Sequence, residues 1–302
     1  MALDVDLVGA WARATERELG EEAFQRDVGF LARIVPLMEL WSRYFDAEVR
    51  GMERVPPRGP VLLVGNHSGG PLTPDTAVFF AAWYRARGLE SPLIGLAFDA
   101  AFGIPWFRDL MRKIGEVPAS RQNAARALDL GLPVLVYPGG DHECFRPWTD
   151  RGRIDFGGRQ GFVALALRKR VPVVPVVSHG GHHSIFIVTR GDWLGPVFGA
   201  ERIRTTTFPL ALQIPWGLSP ILVPGVPLPA KITIEVGEPM PWSQYGPEAA
   251  DDPAVVARCY HEITGCMQAT LDRLSAEHPY PLLARLRRLL PFGGNGRERR
   301  AS

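Results

Sequence analysis

A histidine followed by a carboxylate stands out in the first third of the chain. Residues 60–75 read Pro-Val-Leu-Leu-Val-Gly-Asn-His-Ser-Gly-Gly-Pro-Leu-Thr-Pro-Asp, which places His67 just after an apolar run and Asp75 shortly beyond it. An imidazole exchanges protons near neutral pH, and a carboxylate bonded to the ring holds it in one tautomer. The pair predicts a general base, His67, oriented by Asp75. Two plainer interpretations stay open: a turn histidine bonded to backbone groups, and an acid that complements a helix dipole.

The histidine must be positioned by the strand that precedes it. Val61–Val64 is continuous, apolar and rich in β-branched residues, which is typical of a short buried strand. Asn66 and His67 then lie at the carboxyl end of that strand, where open α/β sheets bind their ligands.

The carboxylate must be positioned by a tight turn and a helix start. Gly69 and Gly70 allow the chain to reverse sharply. Thr73, Pro74 and Asp75 supply the cap, the proline at the first helical position and the acid of a first turn.

Strand and helix patterns alternate through the rest of the chain. The predicted strands are Val61–Val64, Pro92–Ala97, Val134–Tyr137, Val173–Ser178 and Lys231–Val236, and the predicted helices are Thr76–Arg87, Phe107–Lys113, Ser120–Leu130, Gly161–Arg170 and Asp252–Glu277. Two more helices are expected within Val5–Glu48, broken near Gly20 and punctuated by Pro36. Such alternation predicts an α/β fold, with a mixed, largely parallel sheet flanked by helices.

The amino-acid composition and net charge exclude some classes of function. The chain has 302 residues, is 46% hydrophobic and carries a net charge of +2, so it has a large core and no field that would attract nucleic acid. Its three cysteines, Cys144, Cys259 and Cys266, are few and lack metal-ligand spacing, which indicates a reducing compartment. Charged residues interrupt the first twenty positions, so we expect no secretory signal peptide.

Three segments could meet a lipid surface. Residues 205–230 carry no charge but contain six prolines, so we expect an apolar loop that lines a lipid tunnel or lies on a bilayer, or else a buried connection, and no membrane span. Leu282–Leu290 is basic and amphipathic, which suits an anionic membrane surface or a solvated terminal helix. Phe30–Phe45 either packs on the core or lies in a membrane interface.

The order of four blocks resembles the glycerolipid acyltransferase family, which acylates glycerol-3-phosphate, lysophospholipids and related acceptors. Asn66 and His67 match its first block, in which Asn-His is followed by four residues and then Asp. That later position is Leu72 here, and the nearest acid is Asp75. A longer turn through the glycines and Pro71 would restore the pair; otherwise the pair is incomplete.

The other three blocks follow in the family's order. They correspond to Gly115 and Arg121, to Tyr137-Pro138-Gly139-Gly140, and to Val171–Val176. The third block departs from Phe-Pro-Glu-Gly because Gly139 replaces the glutamate, which Glu143 or Asp141 replaces only partly. A Pro-Gly-Gly version resembles the neutral-lipid branch, which includes diacylglycerol and monoacylglycerol acyltransferases.

The resemblance implies a fold like that of glycerol-phosphate acyltransferases, and acyl transfer from acyl-CoA or acyl-carrier protein directly to a glycerolipid hydroxyl. It implies His67 as base and Asp75 as its partner, with neither a cofactor nor a covalent intermediate. The substrate-binding residues it implies are Asn66, Ser68, Gly69, Gly70, Gly115, Arg121, Tyr137, Pro138, Gly139, Gly140, Glu143 and Arg146. Among these, Arg121 and Arg146 are phosphate-clamp candidates or surface ion pairs, and backbone N–H groups at the glycines suit a phosphate or oxyanion.

The resemblance also implies an organisation and a location. We expect an N-terminal helical segment (1–50), an acyltransferase domain (51–281) and a basic amphipathic tail (282–302). The partners are an acyl donor, a lipid acceptor and the cytoplasmic face of a membrane, bound peripherally or monotopically, with no nucleic acid.

Two other functions stay open. Water could replace the acceptor at His67, which would make the protein a thioester or ester hydrolase, although no Gly-x-Ser-x-Gly elbow is present. The displaced acid also fits a non-catalytic lipid-binding protein. His179, His182 and His183 form either a metal site or, as we expect, a loop near the active-site mouth.

Overall fold

The computed structural model describes residues 19–98, 102, 105–196, 207–221, 223 and 225–289. Helices α1–α8 are Val28–Tyr44, Pro74–Arg87, Pro105–Ile114, Arg121–Asp129, Gly140–Cys144, Gly161–Lys169, Pro253–Glu277 and Pro281–Leu289. Strands β1–β10 are Glu48–Arg50, Leu62–Gly65, Ile94–Ala97, Glu116–Pro118, Val134–Val136, Val173–His179, Phe186–Thr189, Leu210–Gln213, Gly217–Pro220 and Thr233–Val236.

Seven strands form the central sheet in the order β1-β10-β6-β2-β5-β3-β4. Strands β6, β2, β5, β3 and β4 run parallel, and β10 joins β6 in the antiparallel sense. The predicted fold class, a mixed and largely parallel α/β sheet, is therefore confirmed. Because β6, β2 and β5 are parallel neighbours, the residues that follow all three meet at one edge of the sheet.

Helices cover both faces of this sheet. Alternate residues of β2 explain why: Leu62 and Val64 pack in one buried cluster with α4, α6 and α7, whereas Leu63 packs in the other with α1 and α2. A strand buried on both faces needs a continuous apolar run, which is the pattern that predicted it.

The observed elements differ from the predicted ones in several places. Each predicted strand and helix from Val61 to Glu277 is present with its ends within two residues. Helix α1 continues through Pro36, and Glu48, which was expected to be helical, begins a strand that pairs with β10. The helix expected before Gly20 and the end of the basic tail lie outside the described residues.

The proline-rich segment, residues 205–230, contains two strands, β8 and β9, that its sequence did not predict. Strands β7, β8 and β9 form a separate antiparallel sheet, and residues 210–213 and 217–220 are its hairpin. Pro209 and Pro215 lie outside the strands and Pro220 ends one, so none of them interrupts the β8–β9 hydrogen bonds. Within the described parts of the chain, no helix is long and apolar enough to cross a membrane.

Candidate active site

The turn after β2 brings Asp75 back to His67. The distance from His67 Nδ1 to Asp75 Oδ2 is 3.2 Å, and the Ser68 N–H donates to the same oxygen at 2.7 Å. Gly69 and Gly70 have φ values of 93° and 68°, and a Cβ on Gly69 would lie 2.6 Å from Pro74. The glycine turn therefore compensates for the longer spacing, and Asp75, buried at the start of α2, serves the imidazole.

The contacts of the imidazole set its charge. Burial lowers the pKa of His67, but the neighbouring Asp75 carboxylate and Cys144 sulfur outweigh that effect and raise the pKa well above 6.5. The ring also stacks on Tyr137, with 4.4 Å between ring centroids. With Nδ1 facing Asp75, Nε2 is the nitrogen that remains to accept a proton from a substrate.

A pH profile tests the pair. A general base works only when neutral, so any His67-dependent turnover should rise along an acidic limb with a midpoint above pH 6.5. Asp75→Asn should lower turnover by about 10²-fold or more and move that midpoint to lower pH, because the carboxylate that stabilises the imidazolium is lost. Rate measurements from pH 5 to 9 check both shifts. An unmoved midpoint with near-normal turnover would reduce Asp75 to a helix-start residue.

Glu143 supports the histidine from its backbone side. Its carboxylate is buried and accepts the His67 N–H at 2.9 Å and the Asp155 N–H at 3.2 Å. The Arg146 guanidinium lies 2.6 Å from Oε1, the carboxylate oxygen that also accepts the Asp155 N–H. Burial raises the pKa of Glu143, and Arg146 is the largest opposing influence. Glu143 is therefore placed to position His67 rather than to bind substrate.

The structure places the two phosphate-clamp candidates in different surroundings, with Arg146 in a buried ion pair and Arg121 at the surface. Arg146 is only 3% exposed and is committed to Glu143, although its Nη1 has no hydrogen-bond partner among the described residues. Arg121 begins α4, is exposed and forms no ion pair with a described residue. Strand β4, which precedes Arg121, is three positions from β2 in the sheet, so ordinary strand spacing separates these two strands by about 14 Å.

Several residues expected to bind substrate instead position other groups. Asn66 bonds the backbone of Ser178 twice, at 2.9 and 2.7 Å, and so joins the ends of β2 and β6. Gly115 has a φ of 93°, and a Cβ there would lie 2.6 Å from the Leu93 oxygen. These two positions are explained by local structure.

The third block is explained largely by packing around Glu143 and His67. A Cβ on Gly139 would lie 2.6 Å from the Glu143 side chain, and the Gly140 N–H already donates to the Tyr137 oxygen at 3.0 Å. Pro138 connects Tyr137 to Gly139. The Gly140 N–H is therefore not free to bind a phosphate or an oxyanion.

Glu116 is a buried acid that the sequence interpretation missed. It begins β4, a strand that the sequence did not predict, and burial raises its pKa to about 7 while the charge of His67 opposes that rise. A glutamate between Gly115 and the apolar Val117 was the available signal. The pKa of Glu116 therefore depends on the charge of His67 as well as on burial.

Glu116→Gln should change the pH dependence of stability. Since the carboxyl pKa rises from 4.5 to about 7 on folding, the wild type loses stability as pH increases through that range. Glu116→Gln lacks this loss. The free energy of unfolding of the variant minus that of the wild type should therefore increase by up to about 3 kcal/mol between pH 4 and pH 8. Urea unfolding at both pH values measures it, with Glu53→Gln as the exposed control. An advantage independent of pH would contradict the buried-acid assignment.

Two cavities flank the turn that follows His67. One, of about 240 Å³, is polar and is lined by Ser68, Arg151, Ser178, His182 and His183 among others. The other, of about 450 Å³, is an apolar groove that begins at Gly69, Pro71 and Leu72 and continues along the small sheet. Ser68 therefore faces the polar cavity, and the next residue, Gly69, faces the apolar groove.

The three histidines at the end of β6 and just beyond it line the polar cavity. Burial is the largest cause of the lowered pKa values of His179, His182 and His183, the last to about 4, so all three are neutral at pH 7. His179 Nε2 lies 2.9 Å from the His278 oxygen, whereas both ring nitrogens of the buried His182 lack a partner among the described residues. No set of three metal-ligating side chains occurs in the described parts of the chain.

The fold and the site together define an α/β protein with a histidine–aspartate pair at the carboxyl edge of its sheet. Residues 46–179, which carry all four blocks, match the family model named Acyltransferase. This chain belongs to the acyltransferase family.

Similar proteins agree with that assignment. An uncharacterized protein of Mycobacterium tuberculosis is 34% identical over 258 residues, covering 84% of this chain and 69% of that protein. The Bos taurus protein named "DGAT1/2-independent enzyme synthesizing storage lipids" is 27% identical over 199 residues, or 65% and 56% of the two chains. The 1-acyl-sn-glycerophosphate (LPA) acyltransferase of Thermotoga maritima shares the fold, with a TM-score of 0.50, 16% identity and coverage of 89% and 88%.

Proposed function

We propose that this protein transfers a fatty acyl group from a thioester donor, acyl-CoA or acyl-carrier protein, to the hydroxyl of a glycerolipid acceptor. The observation that carries the proposal is the 3.2 Å contact between His67 and Asp75 at the carboxyl edge of the sheet. The family and the lipid acyltransferase among its structural neighbours support acyl chemistry on lipids.

In the proposed reaction, His67 acts as a general base through Nε2. It takes the proton of the acceptor hydroxyl as that oxygen attacks the thioester carbonyl carbon. The carbon–sulfur bond then breaks, and the imidazolium returns the proton to the leaving thiolate. Asp75 stabilises the imidazolium while it exists, and no covalent bond to the enzyme forms.

The two cavities support an amphiphilic substrate. A lipid chain in the apolar groove beside Gly69 and a polar group near Ser68 would place the intervening functional group close to His67. The Arg146–Glu143 pair removes one arginine from a phosphate clamp, which supports a neutral acceptor such as monoacylglycerol or diacylglycerol. We further propose peripheral attachment to the cytoplasmic face of a membrane, from which the protein would take its lipid acceptor.

Transfer of a radiolabelled palmitoyl group from CoA by the purified protein tests this function. The acceptors are glycerol-3-phosphate, lysophosphatidic acid, other lysophospholipids, monoacylglycerol and diacylglycerol. We expect a labelled neutral glycerolipid. Label released only as free fatty acid would favour a hydrolase, and lipid binding without turnover from either CoA or carrier-protein donors would favour a lipid-binding protein.

A further inference from the structure

The small sheet exposes an apolar row on its outer face. Phe186, Leu212 and Leu218 lie opposite one another across β7, β8 and β9 and are 42%, 56% and 64% exposed. The alternate positions Ile187 and Ala211 are buried against the protein. An antiparallel sheet with one buried face normally has polar residues on its solvent face. The solvent face of this sheet is apolar instead.

The apolar surface continues beyond the row. Val188, Ile214, Val223 and Val226 are also exposed, and Ile214 pairs with Val226 in an isolated antiparallel bridge. We call these residues together with Phe186, Leu212 and Leu218 the outer apolar face. The segment 205–230, which supplies most of it, has no charged residue. Contiguous apolar surface of this kind marks an interaction site.

The outer apolar face is continuous with the groove that leads to the catalytic turn. Phe186, Leu212, Ile214 and Val226 line that groove together with Leu72. A ligand that enters from this face therefore reaches the residues next to His67 without crossing a charged surface. Lipid chains are the ligands that gain from such a route.

A basic, amphipathic helix adjoins this face. The Tyr44 hydroxyl donates to the Pro227 carbonyl oxygen at 2.6 Å, and Arg285 of α8 donates to the backbone carbonyl oxygen of Tyr44 at 3.1 Å. Helix α8 exposes Leu283, Leu286 and Leu289 at a spacing of three and carries three arginines. Exposed leucines beside cationic groups match the hydrocarbon edge and the anionic headgroups of a bilayer.

We propose that the outer apolar face docks on a lipid bilayer, with α8 at the headgroups and the groove open to the hydrocarbon. A second copy of the chain is a poorer occupant, because protein interfaces typically carry about one hydrogen bond per 100–200 Å² and the seven side chains of this face are all apolar. The inference rests on the proposed function, since it gives a lipid acceptor its path from the membrane to His67.

Vesicle flotation of the full chain tests the docking surface. The double variant Val188→Glu/Leu218→Glu changes two exposed side chains that do not line the groove. We expect it to lose binding at least tenfold on both phosphatidylcholine vesicles and mixed phosphatidylcholine–phosphatidylglycerol vesicles. Trp106→Glu, at a 70% exposed residue of α3, is the matched control and should bind like the wild type. Arg287→Gln should weaken binding only to the anionic vesicles.

Three results would overturn the docking surface: a double variant that floats like the wild type, a wild type that binds neither vesicle, or a wild-type dimer in sedimentation that the double variant abolishes. The last result would assign the face to a second copy. A short-chain, water-soluble acceptor separates this proposal from the proposed function, because the double variant should keep normal turnover on it. Absence of turnover in the wild type, with flotation intact, would count against the function alone.

Discussion

His67→Ala should lower acyl transfer by about 10²- to 10⁴-fold, which is the range that a positioned general base contributes. The ring is held by Asp75 at 3.2 Å and stacks on Tyr137, so its removal takes away the base without touching the strands of the sheet. Labelled palmitoyl transfer under single-turnover conditions measures the loss. Circular dichroism and thermal unfolding should show a folded protein.

A second histidine–aspartate pair in the same chain provides the matched control. His142 Nε2 lies 2.8 Å from Asp155 Oδ2, in a more exposed position on α5. His142→Ala removes a pair of the same chemistry and should keep transfer within about twofold of the wild type. If His67→Ala retained a tenth or more of the activity, the proton would have to be taken by another group and our assignment would be wrong.

Glu143→Ala should lower the free energy of unfolding by about 3–5 kcal/mol. Arg146 would be left as an unpaired charge in the interior, and a buried charge that loses its partner costs about this much. The backbone N–H groups of His67 and Asp155 would lose their acceptor as well. Urea denaturation at pH 7.5 measures the change, and Glu53→Ala, at an exposed glutamate, should stay within about 0.5 kcal/mol of the wild type.

A double variant separates the buried charge from simple loss of packing. Glu143→Gln/Arg146→Met keeps an acceptor near the His67 N–H and removes the charge, so it should recover at least half of the stability lost in Glu143→Ala. Equal losses in the single and double variants would show that packing, and not the unpaired guanidinium, dominates. Since Glu143 holds the backbone of His67, we also expect slower transfer in both variants.

The sequence by itself determined five of the seven strands of the central sheet and the position of His67 at its edge. Continuous apolar runs such as Val61–Val64 predict strands that are buried on both faces. This pattern can be read from the sequence because it depends on the residue types of only a few consecutive positions. The same local rules ended β2 just before Asn66 and His67 and placed the start of α2 near Pro74. They did not predict β8 and β9, because prolines near strand ends look the same in sequence as prolines that prevent strands.

Only the tertiary structure decided what the side chains near His67 do. Asp75 contacts the ring because the two glycines of the turn adopt positive φ, and Arg146 is removed from a binding role because Glu143 lies beside it in the interior. The pKa of Glu116 depends on desolvation by every element packed around it. Distances and desolvation are set by contacts between residues far apart in the chain, so no local pattern of residue types contains them.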